Sequence, residues 1–342
     1  MKILSDFKDR CSSSLIPLQA TLELTYKCNE RCSHCYLATY DDKEDGRPPF
    51  TLPEWKSALD QLAKAGTLYI ILIGGEAMTH PFFWQIAEYA AELNFAVSLI
   101  TNGLLMNEEA ASRIAEIGFF EVTTSLYSLN PSIHDKMTRR KGSHVLTLGA
   151  IDRLTKRGVR IGINCLLTSE NIESYFELEE WAAHKNIKIR FDPVVTPKSD
   201  GDISPTLTRA SSEQLFHFYR KLKLRGTSIA PPPVGPADDP VCNAGRGKCA
   251  INAYGDLLTC LEVRDAIGSL REGSFEDLWM SPKAEFLRSY KNKDLKFDTS
   301  CGSGAGCDHC PGIAGAETGD RMAPVPYLME VARIKQQITE ES

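Results

Sequence analysis

The sequence lacks the features that define several large classes of protein. Its 342 residues contain no apolar run long enough to span a bilayer. Residues 1–20 have no long apolar core and no convincing cleavage site, so a signal peptide is not expected. A net charge of -6 provides no basic face of the kind that nucleic acid requires. We therefore expect a cytoplasmic globular protein that binds neither a membrane nor nucleic acid.

Cysteine is the residue type that is present in an unusual pattern. In a compartment that keeps thiols reduced, a chain with 11 cysteines more often binds metal than forms disulfides. Three of them lie within residues 28–35 and six lie between 242 and 310. Cys11 and Cys165 stand apart, and we interpret them as free, small apolar residues. The clustering predicts two separate metal sites.

Strand and helix patterns alternate over residues 19–225, which predicts an α/β fold. Such alternation implies a parallel sheet with right-handed crossovers. Six units predict a partial (β/α)6 barrel of the TIM type, because a full barrel takes about 250 residues. The predicted strands are 19–25, 68–73, 95–101, 119–125, 160–167 and 187–193, and the predicted helices are 51–65, 81–93, 107–117, 144–157, 171–185 and 211–224. The chemistry of such sheets gathers where the strands end.

The remaining segments differ from the barrel in composition. Residues 1–18 form an N-terminal extension, and the proline-rich residues 226–240 read as a linker. Residues 241–320 are rich in glycine and cysteine, and they predict a small domain with a β-hairpin and short helices. This segment has too few core residues to fold well without a staple, which bound metal would supply. Residues 321–342 predict a closing helix.

The first cysteine motif directly follows the first predicted strand. It reads Cys28-Asn-Glu-Arg-Cys32-Ser-His-Cys35. Three thiolates can hold three irons of a [4Fe–4S] cube and leave the fourth iron without a protein ligand. An open iron can bind the amino and carboxylate groups that S-adenosylmethionine (SAM) offers. An open zinc site with three cysteines and one water is the alternative.

This spacing after an N-terminal strand resembles the radical SAM superfamily. The next four strands end in further motifs of that family, namely Gly74-Gly75-Glu76, Thr101-Asn102-Gly103, Ser125 and Asn164. The resemblance implies a [4Fe–4S] cluster with SAM at the open iron. It also implies an enzyme that cleaves SAM reductively to a 5′-deoxyadenosyl radical, which abstracts hydrogen from a substrate.

The resemblance also implies roles for individual residues. Glu76, with the glycines before it, would grip the amino group of SAM. Ser125 would face the ribose or carboxylate of SAM, and Asn164 would lie near the ribose. His34 would pack on the adenine, with an ordinary loop histidine as the alternative.

Three residues near the mouth of the predicted barrel are candidates for catalysis. Tyr127 stands where many members of the family have an aspartate, so the role of that aspartate is not carried over. Asp192 is a candidate acid or base, although an aspartate before Pro193 is also typical of a loop. Arg190 is a candidate for substrate contact or for a salt bridge.

The tail resembles a SPASM domain, the auxiliary-cluster extension of peptide-modifying radical SAM enzymes. Its opening reads Cys242-x12-Gly255-x4-Cys260, but its second half has only three cysteines, so the tail has six and not seven. The resemblance to the shortened twitch form implies one auxiliary cluster on Cys242, Cys260, Cys307 and Cys310. Cys249 and Cys301 are left as candidate ligands of a second, incomplete cluster. Structural zinc is the alternative.

The resemblance implies a precursor peptide or protein as substrate and a flavodoxin or ferredoxin as reductant. Tetrapyrrole or other cofactor biosynthesis and sulfatase maturation are alternatives within the family. A non-catalytic iron–sulfur or zinc protein is the alternative outside it, although such a protein would not need motifs in register with four strands. Many peptide maturases have a leader-recognition domain before the first motif, where this sequence has 27 residues. We therefore expect a separate leader-binding protein.

Overall fold

The computed structural model describes residues 2–41, 46–229, 235–296 and 309–341. Its strands are β1 (Gln19–Glu23), β2 (Tyr69–Ile73), β3 (Ala96–Thr101), β4 (Glu121–Ser125), β5 (Ile161–Leu166), β6 (Lys188–Asp192), β7 (Lys248–Ile251), β8 (Asp256–Cys260) and β9 (Val263–Ser269). Its helices are α1 (Lys2–Ser13), α2 (Leu52–Lys64), α3 (Phe83–Glu92), α4 (Glu108–Ile117), α5 (Pro131–Thr138), α6 (Ser143–Lys156), α7 (Tyr175–His184), α8 (Ser212–Leu224), α9 (Phe275–Trp279), α10 (Pro282–Arg288), α11 (Pro311–Thr318) and α12 (Pro326–Glu340). Within these ranges no helix has the length and apolar character needed to cross a membrane.

The strands form one nine-stranded sheet in the order β6-β5-β4-β3-β2-β1-β7-β8-β9. Strands β1 to β6 are parallel neighbours in chain order, which confirms the predicted α/β architecture. Parallel strands are covered on both faces, and the sequence of β2, YIILI, is apolar throughout for that reason. Because the strands are parallel, their carboxyl ends lie along one edge of the sheet.

The tail continues the same sheet. Strand β7 pairs in parallel with β1, with Gln19 opposite Lys248 and Leu22 opposite Ile251. Strand β8 is antiparallel to β7, so these two strands form the predicted hairpin, and β9 is antiparallel to β8. The turn of the hairpin contains Gly255 at φ +85, where an added Cβ would lie 2.4 Å from the Phe50 ring. Only glycine fits this turn, because the chain must bend there against a packed aromatic side chain.

The barrel and the tail share one large hydrophobic core, beside a smaller cluster formed by residues of α11 and α12 with Val325. The cluster of buried side chains that contains Leu22 and Leu72 also contains Ile251, Leu257 and Ile267 of the tail strands. These contacts stabilise both parts, because each part covers apolar surface of the other and so removes it from water. The tail therefore packs as an extension of the barrel.

The helix boundaries follow local signals where those signals are strong. Thr51 accepts a hydrogen bond from the backbone N–H of Glu54, whose carboxylate accepts one from the backbone N–H of Thr51, so the predicted capping box of α2 is confirmed. Two helices, α1 and α5, were not predicted. Helix α5 has only eight residues and begins at Pro131 after the N-cap Asn130. A helix this short gives a weak periodic signal.

Candidate active site

The three cysteines of the first motif lie in the loop that leaves β1 (residues 24–35, hereafter the cluster loop). All three are free thiols and line one cavity of about 530 Å³. The backbone N–H of Glu30 donates to the sulfur of Cys28 at 3.4 Å, and the thiol of Cys32 donates to Glu30 Oε2 at 3.5 Å. The loop therefore aims its sulfur atoms at the interior of the molecule.

Burial makes these thiols poor thiolates in the absence of a metal. It raises the pKa of Cys28 to about 12, and it raises the pKa values of Cys32 and Cys35 above the ordinary range. A buried thiolate needs positive charge beside it, and iron ions supply that charge when a cluster binds. The donor set thus fits an iron–sulfur cluster.

The loop after β2 lies in direct backbone contact with the cluster loop. Gly75 N–H donates to the carbonyl oxygen of Thr25 at 2.7 Å, and Glu76 N–H donates to that of Lys27 at 2.8 Å. A Cβ added at Gly74 would lie 2.5 Å from Thr25 O, and one added at Gly75 would lie 2.5 Å from Lys27 O. Both glycines are therefore required by the contact between the two loops, and both line the cavity.

Glu76 occupies a position that the sequence did not predict. Its carboxylate is 1% exposed, and it accepts hydrogen bonds from Thr101 Oγ1 at 2.9 Å, from Asn102 N–H at 2.8 Å and from Met78 N–H at 3.1 Å. Burial raises its pKa, while these donors act in the opposite direction. The side chain is not among the residues that line the cavity. Glu76 therefore ties the end of β2 to the end of β3, and its contact with the amino group of SAM stays a prediction.

Residues at the ends of the next strands line the same cavity. They are Thr101 at the end of β3, Asn102 directly after it, Ser125 at the end of β4 and Asn164 in β5. Ser125 and Asn164 are direct partners in the pairing of β4 with β5. Asn102 Nδ2 also donates to Asn29 Oδ1 at 2.6 Å, which ties β3 to the cluster loop. The structure thus brings the predicted polar residues together.

His34 and Tyr127 form one wall of the cavity. Their rings meet edge to face at 4.7 Å between centroids, and both residues are buried. Burial lowers the pKa of His34 to about 4, so the imidazole is neutral at pH 7. Tyr127 also stacks on His134 at 5.4 Å, and burial raises the pKa of its phenol well above the ordinary value. Both groups are therefore uncharged.

Arg190 and Asp192 lie at the end of β6, on the open side of the cavity. Arg190 Nη2 and Asp192 Oδ2 are 3.1 Å apart, so the salt bridge considered for Arg190 is present. Asp192 Oδ1 also accepts a hydrogen bond from the backbone N–H of Val194 at 3.0 Å. The arginine side chain is 75% exposed, which leaves it accessible from outside the cavity.

Two carboxylates of the cavity were not predicted. Glu30 lies between two cluster-loop cysteines and is 5% exposed; its Oε1 has no hydrogen-bond partner in the described part of the chain. Burial raises the pKa of Glu30 to about 7. Glu262 reaches the cavity from the tail. The position of Glu30 could have been predicted, because this acid lies inside the cysteine motif. The position of Glu262 could not, because it depends on packing between distant segments.

A buried ion pair joins the tail to the cluster loop. Glu23 is fully buried in β1, and its carboxylate accepts hydrogen bonds from Tyr36 Oη at 2.7 Å and from Arg264 Nη1 at 2.9 Å. Although burial lowers it, the Glu23 charge raises the pKa of Arg264 above its ordinary value. Tyr36 follows Cys35 directly, so strand β9 is tied to the end of the cysteine motif.

The tail cysteines come from separate elements. Burial is the largest cause of the raised pKa values of Cys242 and Cys310, and the nearby Cys260 raises both further. Cys260 therefore lies near both Cys242 and Cys310. Cys249 lies in β7 opposite Ala20, is 2% exposed and belongs to the hydrophobic core. Cys301 and Cys307 lie outside the described residues, and the ligand sets of the tail stay predictions.

Comparison with protein families explains this arrangement. Residues 22–182 match the radical SAM superfamily, and residues 242–311 match the SPASM iron–sulfur cluster-binding domain. The two matches together span about two thirds of the chain. The chain belongs to the radical SAM superfamily and is a radical SAM enzyme with a SPASM tail. Its cofactors are a [4Fe–4S] cluster with SAM and, in the tail, auxiliary iron–sulfur clusters.

Two curated relatives are similar over most of the chain. An AdoMet-dependent heme synthase of Methanosarcina barkeri is 26% identical over 334 residues, which cover 90% of this chain and 95% of the relative. The mycofactocin maturase MftC of Mycolicibacterium smegmatis is 27% identical over 309 residues, which cover 86% of this chain and 76% of the relative.

A solved structure has the same fold. The crystal structure of Streptococcus suis SuiB bound to precursor peptide SuiA superposes with a TM-score of 0.69 over 92% of this chain and 76% of that chain. The sequences are 16% identical, so this likeness concerns the fold.

Proposed function

We propose that the protein modifies a ribosomally made precursor peptide or protein by hydrogen-atom abstraction. The observation that carries this proposal is a pair of adjoining cavities. The inner cavity contains the three thiols, and it shares Tyr36, Thr196, Glu262 and Ile313 with an outer cavity of about 460 Å³. Residues of the barrel and residues of the tail both line the outer cavity. An extended chain entering between them would reach the thiols.

The inner cavity fits the cofactors of the family. Its volume of about 530 Å³ lies within the range of small-molecule sites. Three thiols share one wall, and Gly74 and Gly75 leave the adjoining wall without side chains. When bound, the cluster supplies the electron that cleaves SAM to methionine and a 5′-deoxyadenosyl radical.

The chain's own residues would bind the clusters, orient SAM and exclude water from the cavity. We assign Cys28, Cys32 and Cys35 as cluster ligands, and Cys242, Cys260, Cys307 and Cys310 as ligands of an auxiliary cluster. The polar groups of Thr101, Asn102, Ser125 and Asn164 would orient SAM. The neutral rings of His34 and Tyr127 would pack on its apolar parts and keep water from the radical.

The charges of the outer cavity favour a peptide over a tetrapyrrole. Biological tetrapyrroles carry several carboxylates, which unpaired cations would bind. The cations that line this cavity are already paired: Lys198 with Asp202 at 2.7 Å, Arg264 with Glu23 at 2.9 Å, and Arg321 with Asp265. A peptide, by contrast, needs mainly hydrogen bonds and apolar contact.

The first test is anaerobic reconstitution with iron and sulfide, followed by SAM, dithionite and an assay for 5′-deoxyadenosine. We expect the nucleoside from the wild type and none from the variant with Cys28, Cys32 and Cys35 all changed to alanine. Iron counts in the two proteins would give the number of tail clusters. Nucleoside formation by the triple variant would contradict the assignment of these ligands.

The second test identifies the substrate class. Peptides encoded beside the gene would be made with deuterated side chains, and mass spectrometry would detect deuterium in 5′-deoxyadenosine. Transfer from a peptide supports the proposal. The heme synthase relative, which aligns over 95% of its own length, makes a tetrapyrrole the second candidate. Deuterium transfer from an iron porphyrin, with none from any peptide, would overturn the peptide assignment.

The proposal extends to the domain boundaries and the partner proteins. We propose that residues 19–225 form the radical SAM unit, residues 241–320 the auxiliary-cluster unit, and residues 226–240 the connection between them. We also propose a separate leader-binding protein and a flavodoxin or ferredoxin as electron donor. Tight binding of the leader by this chain alone, measured by calorimetry, would contradict the separate leader-binding protein.

A further inference from the structure

An exposed basic surface surrounds the outer side of the cluster loop. We call it the basic rim, and its members are Lys27, Arg31, Lys136, Arg139, Arg140 and Lys141, all of them exposed. The whole chain has a net charge of -6, so a local group of six cations contrasts with the rest of the molecule. Such a group creates a positive potential over one face.

Two members of the basic rim, Lys27 and Arg31, belong to the cluster loop, and the segment 136–141 that carries the other four is in direct contact with that loop. Arg31 N–H donates to the carbonyl oxygen of Thr138 at 3.2 Å, and Ser33 N–H donates to that of Met137 at 2.9 Å. Arg140 Nη1 donates to the carbonyl oxygen of Asn29 at 2.7 Å. The segment that ends α5 thus covers the side of the loop that faces away from the thiol-lined cavity, and no member of the basic rim lines that cavity.

Most of these cations are not neutralised within the protein. Within the described ranges, Arg31, Arg139, Arg140 and Lys141 have no ion-pair partner, whereas Lys136 forms a salt bridge to Glu170 at 2.6 Å. The nearby Asp135 already accepts hydrogen bonds from Gly142 N–H at 2.6 Å and from His144 N–H at 2.9 Å. Arg31 and Arg140 donate to carbonyl oxygens of the cluster loop, and no carboxylate in the described part of the chain neutralises their charge. The exposed side chains of Arg139 and Lys141 leave their charge to solvent.

We propose that the basic rim is the docking surface for an acidic one-electron donor protein of the flavodoxin or ferredoxin class. The inference rests on the proposed function, because a radical SAM cluster needs one electron for each SAM that it cleaves. The cavity side of the loop is given to SAM and substrate, so the electron enters from the outer side. The donor protein is oxidised by one electron, and the cluster is reduced by that electron.

Charge complementarity suits this task. Electron-transfer encounters are brief and bury little surface, so electrostatic attraction determines how often the partners meet. Oppositely charged faces raise association rates by about 10-fold to 10³-fold, and salt removes this advantage. The basic rim places the attraction beside the cysteine motif, where a bound donor would lie nearest to the cluster.

The test uses the full-length reconstituted enzyme with two reductants. Purified flavodoxin, kept reduced by its reductase, is compared with dithionite, which needs no docking surface. The test variant is Arg139→Glu/Lys141→Glu, because neither side chain makes a hydrogen bond or ion pair with another described residue. The control is Lys185→Glu/Lys188→Glu, which changes the net charge equally at the opposite end of the sheet, where β6 begins.

At low salt, we expect flavodoxin-driven 5′-deoxyadenosine formation by the test variant to fall about tenfold or more. The control should stay within about twofold of wild type, and Arg139→Gln/Lys141→Gln should lie between them. At about 1 M salt, where the Debye length is about 3 Å, the three should converge. Dithionite-driven rates should agree within about twofold throughout.

Two results would overturn the proposal. Equal flavodoxin-driven rates for the test and control variants would show that the basic rim does not receive the donor. Equal losses with both reductants would assign the basic rim to an acidic substrate segment or to support of the loop. Fluorescence anisotropy of labelled flavodoxin measures docking without any chemistry. It decides the proposal even if the enzyme cleaves no SAM, a result that would count against the proposed function alone.

Discussion

The two cysteine-bearing regions of the molecule are built in different ways. The first places three thiols within eight residues of one loop, and the neighbouring loop is locked against it by two glycines. The second draws Cys242, Cys260 and Cys310 from three segments, one before β7, one at the end of β8 and one at the start of α11. The backbone thus positions the first site, whereas packing between distant segments assembles the second. We expect the first site to exist before metal binds and the second to depend on metal for its cohesion.

The largest expected effect separates the two sites by their metal ligands. Changing Cys28, Cys32 and Cys35 to alanine should abolish SAM cleavage but leave the tail protected from proteolysis. Changing Cys242, Cys260 and Cys310 to alanine should expose residues 235–296 to protease, because the staple is lost. Limited proteolysis and the nucleoside assay measure both. Cys165→Ala, a buried free cysteine outside both regions, is the control. Equal proteolysis of the two triple variants would remove the distinction.

The next effect tests the backbone contact at the first site. Gly75→Ala introduces a Cβ 2.5 Å from two carbonyl oxygens of the cluster loop, so the loops must separate. We expect SAM cleavage to fall about 100-fold, since displacement of the reacting groups by about 1 Å can cost that much. Gly273→Ala, whose Cβ would make an ordinary contact at 3.4 Å, is the matched control. Similar activity of both variants would mean that the close approach is not required.

The third effect tests the tie between the two regions. Arg264→Met leaves Glu23 buried and without its cation, which should destabilise the protein by about 3 kcal/mol. The double variant Arg264→Met/Glu23→Gln should recover part of this loss, because no uncompensated charge stays buried. Urea unfolding of the four proteins in the cycle gives the coupling energy. A coupling energy near zero would show that the ion pair does not join the tail to β1.

The last effect, which is small near neutral pH and grows as pH falls, concerns the pH dependence of stability. Burial lowers the pKa of His134 to about 4, below the value of about 6.5 expected in the unfolded chain. Below pH 6.5 the unfolded state binds a proton at His134 that the folded state does not bind. The contribution of neutral His134 to the free energy of unfolding is therefore fully present above pH 6.5 and is lost as pH falls towards 4. The loss should reach about 3 kcal/mol, since one pKa unit corresponds to about 1.4 kcal/mol.

The pH effect distinguishes the two cysteine-bearing regions, because His134 lies next to the first of them. His134 supports Tyr127 in the wall of the SAM cavity, and its Nδ1 accepts a hydrogen bond from Tyr127 N–H at 3.2 Å. His134→Asn keeps an acceptor but cannot titrate, so its stability should depend less on pH between 7 and 4. His184→Asn, exposed at the end of α7, is the control. Unchanged pH dependence of urea unfolding in His134→Asn would contradict the assignment.

Local patterns carried most of the fold and much of the site. Six strands, most helices and the capping box of α2 were predictable because periodicity and capping act within a few residues. The cysteine motif and the strand-end motifs were predictable because each is contiguous in sequence and parallel strands align their ends. Helix α5 was missed because it is short, although it carries the segment that supports the cluster loop.

What was missed depends on contacts between distant residues. The pairing of β7 with β1 and the bond between Glu23 and Arg264 join residues more than two hundred positions apart. No local pattern encodes either. The hydrogen bonds from Thr101 and Asn102 to the carboxylate of Glu76 were also not predictable, and the contact of Glu76 with SAM stays a prediction. The buried position of Cys249 opposite Ala20 depends on the same distant pairing, and its role as a ligand stays a prediction.

Strand β1 has β2 on one side and β7 on the other, so one segment of five residues anchors both halves of the molecule. The loop that carries the first three thiols grows out of this shared strand. Backbone hydrogen bonds of this strand therefore link the segment that carries the first three thiols directly to the strands of the tail. A change of substrate preference is therefore expected in the segments that line the outer cavity outside the sheet, chiefly residues 196–201 and α11. The sheet itself would stay unchanged.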